Sequence, residues 1–258
     1  MAIGGYLGSF FGGPLGAIIG AVIGHKIEGA AFRPYGRKRR VSGYRDIPEG
    51  SRSMIFCASA AAMLAKMAKA DGHVTRDEIA GVERAFRRLG FSDEVRDYAI
   101  GVFRKAKDDA HTIYDYAREF ASAVDAVEVR ELLYELLWDV ACADGTLSPD
   151  ELNILQHMPR ALGIRVEWYG YFASQRLGGA RGGARQNRDP LEEAYALLGA
   201  SASDSPDVLK RKYRELAKKN HPDALRAQGI PEGMIGRATE RMSRINDAWA
   251  TVRAARGI

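Results

Sequence analysis

The apolar positions follow different rhythms along the chain. Residues 1–24, MAIGGYLGSFFGGPLGAIIGAVIG, hold no charged side chain. A helix through about 22 of them spans about 33 Å, matching the roughly 30 Å of bilayer hydrocarbon. From 54 to 173 the pattern becomes amphipathic and helical. Ala60, Met63, Leu64, Met67 and Ala68 recur at helical spacing, as do Leu132, Leu133, Leu136, Leu137 and Val140. No run of alternating β-branched residues suggests a strand. Residues 174–188, SQRLGGARGGARQNR, offer almost nothing to bury and read as a flexible linker. Over 189–258 three more helices are legible. Leu191, Ala194, Tyr195 and Leu198 form a short apolar face ended by Gly199. Ser205-Pro206 opens a helix with Leu209, Tyr213, Leu216 and Ala217 on one side. A third helix follows Pro231, with Met242, Ile245, Trp249 and Val252 inward. The chain is therefore predicted to be all-α. A transmembrane helix covers 1–25, a basic juxtamembrane segment 26–53, a helical bundle 54–173, the linker 174–188, and a helical hairpin with a short first helix 189–258.

Glycine and charge sharpen the reading of the first segment. Gly4, Gly8, Gly12, Gly16, Gly20 and Gly24 recur every fourth residue and would form one stripe on a helix. Such a stripe lets two backbones approach closely in lipid, so Gly8, Gly12, Gly16 and Gly20 are candidates for self-association and a homodimer. Pro14 would kink the span. The charges Lys26, Arg33, Arg37, Lys38, Arg39 and Arg40 follow the apolar run rather than precede it. The positive-inside bias then predicts a single-pass protein of the inner (plasma) membrane, its N-terminus outside and the remaining chain cytoplasmic.

The middle region contains an internal repeat. Residues 63–79, MLAKMAKADGHVTRDEI, and 136–152, LLWDVACADGTLSPDEL, share A-x-A-D-G followed by Thr or Ser and D-E-aliphatic. Gly72 and Gly145 suit the left-handed position that closes a helix. Thr75 with Glu78, and Ser148 with Glu151, have the spacing of a capping box, and Pro149 suits the first helical position. The acidic residues Asp71, Asp77, Glu78, Asp144, Asp150 and Glu151, with His73, could instead bind a cation. An EF-hand register fails, because its first and third positions fall on Met67 and Lys69, or on Val140 and Cys142, where carboxylates are needed. Capping is the preferred reading, and no metal or cofactor is expected.

Composition adds limits. With 258 residues, 46% hydrophobic and 28% charged, the chain is globular rather than disordered. A net charge of +5 is too small to argue for nucleic acid, and neither the basic run at 33–40 nor the single Arg-Gly-Gly triplet changes that. Cys57 and Cys142 are far apart in helical runs and read as reduced core thiols. His221 lacks any accompanying Ser or Cys nucleophile motif, so a hydrolase base is not favoured.

Two stretches resemble known families. The paired A-x-A-D-G turns in a helical domain of this size resemble the tellurite-resistance TerB-like domain. The C-terminal EEAYALLG, YRELAKK, His221-Pro222-Asp223 and INDAWATV resemble the J domain of DnaJ-type co-chaperones. The long connection HPDALRAQGIPEGM is similar to that of DjlA-type membrane-anchored DnaJ-like proteins. That family orders a glycine-rich span, a TerB-like domain and a J domain as this chain would. The resemblance implies a membrane-anchored co-chaperone that recruits a DnaK-type ATP-dependent chaperone and stimulates its ATP hydrolysis without bond chemistry of its own. It implies that His221, Pro222 and Asp223 engage that partner, with Lys210, Tyr213 and Arg214 on the second helix meeting its acidic surface. Ala224 and Glu215 depart from positions where J domains often carry a basic residue. The alternative is a membrane-associated stress or metal-response protein acting mainly through the TerB-like domain. The client is not legible.

Overall fold

The computed structural model describes residues 13–19, 49–70, 76–88, 91–143, 147–177 and 189–258, and among these every regular element is helical. The middle bundle is formed by α1 (Glu49–Ala68), α2 (Arg76–Arg88), α3 (Asp93–Asp108), α4 (Ile113–Ala123), α5 (Val127–Ala141), α6 (Pro149–Leu162) and α7 (Glu167–Leu177). Helix α1 lies at its centre, against α3, α4 and α5. Its run of small residues, including Ala58, Ala60, Ala61 and Ala62, is fully buried and lets those helices approach closely. Larger side chains fill the gaps between them. Phe56, Phe86, Phe103, Tyr116, Phe120, Tyr134, Trp138 and Phe172 are all inside, each aliphatic or aromatic side chain contributing about 1.5–3 kcal/mol of transfer free energy. Cys57 is buried here, and desolvation pushes its thiol pKa up, as expected of an inert core cysteine.

Helix boundaries follow local chemistry. Ser148 begins α6 with the expected capping box: the Glu151 amide donates to Ser148 Oγ at 3.1 Å, and the Ser148 amide donates to Glu151 Oε2 at 2.9 Å. Thr112 and Asp115 make the same reciprocal cap on α4. Gly163 ends α6 at φ +60°. The turn of the first copy of the repeat, Asp71 to Thr75, and the Asp144-Gly145 turn lie outside the described residues. Helix α7 continues to Leu177, four residues into the expected linker, because Trp168 and Phe172 anchor it to the core.

The C-terminal unit contains α8 (Pro190–Leu198), α9 (Pro206–Asn220), α10 (Pro222–Ala227), a 3-10 turn (Glu232–Met234) and α11 (Ile235–Arg256). Ala194, Tyr195, Leu198, Leu209, Ile245, Ala248 and Val252 form a second, smaller core. Two expectations shift. The connection after Asn220 is not simply loop but carries α10. On α11, Met242 is only half-buried, whereas Arg241 is 3% exposed and points into the middle bundle.

Candidate functional site

The tripeptide His221-Pro222-Asp223 is a joint between two helices. His221 ends α9 and begins α10, with φ −60° and ψ 133°. Its Nδ1 accepts the Asp223 amide at 3.2 Å, so the ring caps the short helix. In the neutral ring this leaves the proton on Nε2, which becomes a donor available to a partner. Pro222 takes the first helical position, where its missing N–H costs nothing. His221 and Asp223 are 55% and 76% exposed at their side chains. Asp223 Oδ1 accepts from Arg226 Nη1 at 2.9 Å, and Arg226 in turn meets Glu232 at 3.3 Å. The Glu232 carboxylate raises the pKa of Arg226 from an already high value, so this arginine stays charged.

The basic face of α9 flanks the joint. Lys210, Arg211, Arg214 and Lys218 are exposed, while Lys219 reaches Glu128 of α5 at 3.8 Å. Tyr213 differs from its expected exposed role. Its ring stacks on Trp249 with centroids 4.9 Å apart and planes 7° apart, and its hydroxyl donates to Asn246 Oδ1 at 3.1 Å. It joins α9 to α11 and braces the face that carries Lys210 and Arg214.

Residues 58–169 match the family model for tellurite resistance protein TerB, and residues 2–39 match that for the co-chaperone DjlA transmembrane domain. A co-chaperone protein DjlA of Aliivibrio fischeri is 30% identical over 228 residues, covering 80% of this chain and 81% of the relative. The chain belongs to the DjlA co-chaperone family. Relatives of the same name from Vibrio vulnificus and Escherichia coli K12 are 29% and 28% identical, covering 84% and 86% of this chain and the same shares of their own. No solved structure matches the chain at a significant level.

The DjlA transmembrane match falls largely outside the described residues, as do Gly8, Gly12 and Gly20. Among the described residues no helix is long and apolar enough to cross a membrane. Residues 14–19 are helical, and Leu15, Ile18 and Ile19 are buried in the core of the middle bundle. Glu119 of α4 accepts the Gly13, Leu15 and Gly16 amides at 3.0, 2.7 and 3.4 Å. A Cβ at position 13 would stand 2.8 Å from that carboxylate, which would have to shift to admit it.

Of the residues raised as metal ligands, Asp71, His73, Asp77, Glu78 and Asp144 have no described side chain. Glu151 is engaged in the α6 cap. Among the described residues no group of three or more potential ligands comes together.

What the sequence did not announce is a set of acid–base pairs between the two cores. Glu131, Glu135 and Asp139 on α5 meet Arg241, Arg244 and Arg237 on α11. The Glu131–Arg241 pair is the most enclosed, with both side chains under a tenth exposed. Glu131 takes the Trp168 Nε1–H at 2.6 Å on one oxygen and Arg241 on the other, and the Arg241 guanidinium lies 4.8 Å over the Trp168 ring. The readable signal was four-residue spacing of acids among the leucines of α5, which a hydrophobic pattern alone discards.

Proposed function

We propose that this protein is a membrane-anchored co-chaperone whose C-terminal J domain recruits a DnaK-type chaperone and stimulates its ATP hydrolysis. The observation that carries the reading is the exposed His221-Pro222-Asp223 joint beside the exposed basic face of α9. The partner would meet a preset hydrogen-bond donor at His221 Nε2 and a carboxylate at Asp223, with Lys210 and Arg214 steering approach to an acidic surface. The chain itself breaks no bond. Its anchor would be a single span with the N-terminus outside and the remaining domains on the cytoplasmic face of the inner membrane. Homodimerisation through Gly8, Gly12, Gly16 and Gly20 would bring two J domains together, and Gly16→Leu should lower association in a membrane self-association assay while insertion persists. Anchoring raises the local concentration of chaperone at the membrane.

The test is steady-state ATPase of the cognate DnaK-type chaperone with the full chain. Stimulation is expected, and reversal of Lys210 and Arg214 to Glu should weaken it most at low salt, where exposed charges act on association. A full chain that is folded and yet leaves the ATPase rate unchanged would sink the assignment.

A further inference from the structure

The connection between α9 and α11 carries apolar side chains that join the core of the middle bundle rather than the small core of their own unit. Leu225, Ile230 and Met234 are at most 3% exposed, and Ala238 at the start of α11 is fully buried. None of them belongs to the small core of α8, α9 and α11; all four join the core of the middle bundle. Polar contacts hold the same stretch. Ser53 Oγ on α1 donates to the Gly229 carbonyl at 3.1 Å, and Arg52 donates to the Ala227 carbonyl. Gly229, at φ +80°, presses so close to α1 that a Cβ there would overlap Arg52 Cβ. The three ion pairs between α5 and α11 continue this contact, and Arg165 reaches the Ala196 carbonyl at the end of α8 at 3.2 Å.

This contact flanks the tripeptide without covering it. Lys210, Arg211, Arg214, Lys218, His221 and Asp223 all stay exposed while it is made. It therefore does not mask the surface assigned to the chaperone. It does engage α10, the six-residue helix whose first cap is His221 and whose fully buried Leu225 joins the core of the middle bundle. A helix this short has no stability of its own in water.

We infer that the middle bundle is the back wall of the tripeptide: by burying Leu225, Ile230 and Met234 it holds α10 in place and preorganises His221 and Asp223 for the chaperone. Ser53, Glu131, Glu135 and Asp139 are then positioning residues that never touch the partner. This rests on the J-domain reading above. Holding the joint in its binding geometry removes an ordering cost from association and scales apparent affinity by the fraction of molecules in that geometry.

Two readouts on the full chain test this: amide hydrogen exchange over 224–234, and chaperone ATPase as a function of co-chaperone concentration. The variants lie on the middle bundle alone, Ser53→Ala and the pair Glu135→Gln with Asp139→Asn. Faster exchange is expected, with a half-maximal concentration raised about five-fold, which corresponds to a competent fraction of about one-fifth, and an unchanged maximal rate. The charge swap Glu135→Arg with Arg244→Glu should restore part of both. Faster exchange with an unchanged half-maximal concentration would overturn the inference, as would a lower one, which would make the contact inhibitory. Exchange at 224–234 that is rapid in the parent would also overturn it. Absence of stimulation by the parent defeats the J-domain reading instead, and the exchange data report on the contact independently.

Discussion

His221 does two jobs that substitutions can separate. The short acceptor at Nδ1 caps α10, and Nε2 is left without a role in the cap. Asn offers a similar short acceptor and is a strong N-cap, but has no second ring nitrogen. His221→Asn should keep exchange protection at 223–227 and the melting temperature, yet lose ATPase stimulation; retained stimulation would show that the cap alone is what the partner needs. Asp115 gives a pH-dependent case. Hydrogen bonds from the Thr112 side chain and amide, with Arg118 beyond them, hold its pKa down to about 2. A carboxylate depressed on folding adds stability above its unfolded pKa of about 3.9, and that stability is lost as pH falls toward 2. Asp115→Asn should therefore flatten the dependence of melting temperature on pH between about 5 and 2. The Thr112 and Ser148 caps differ in legibility. Ser148-Pro149-Asp150-Glu151 showed its box in the sequence, and the structure has it. His221-Pro222-Asp223 has the same cap, Pro, acid order as Ser205-Pro206-Asp207, but histidine is not a usual capping residue, and the helix it starts went unread.

At the scale of elements, the apolar faces predicted the small core well. Ala194, Tyr195, Leu198, Leu209, Ile245 and Val252 are buried as their spacing required. The connection was harder, because Leu225, Ile230 and Met234 follow no single helical or strand period. They are split between α10, a left-handed turn and a 3-10 turn, and they come together in the core of the middle bundle. Gly229 is the hinge of that arrangement. Gly229→Ala faces both a left-handed penalty of about 1–2 kcal/mol and overlap with Arg52. Its expected outcome is rapid exchange at 224–234 with the α8, α9 and α11 core still protected. Uniform loss of protection would mean that the two cores unfold as one unit.

At the scale of the whole molecule, the ion pairs between α5 and α11 join residues about a hundred positions apart, such as Glu131 and Arg241. Neither stripe identifies its partner in a single sequence, which is why the joining of the two cores was not legible while each core was. Buried pairs of this kind add little net stability, because desolvation offsets attraction, but removing one member strands the other charge. The N-terminal segment raises a different matter. Leu15, Ile18 and Ile19 sit in protein core, yet they belong to the stretch matched to a transmembrane domain. Lipid tails and a packed core are similarly apolar, so these side chains find two oils of nearly equal quality. The amide contacts to Glu119 exist in only one of them. Residues 13–19 would then behave as a solute partitioning between protein and bilayer, with one carboxylate biasing the coefficient. Glu119→Leu should move the partition toward lipid, read as greater quenching of a fluorophore at position 17 by bilayer-embedded quenchers.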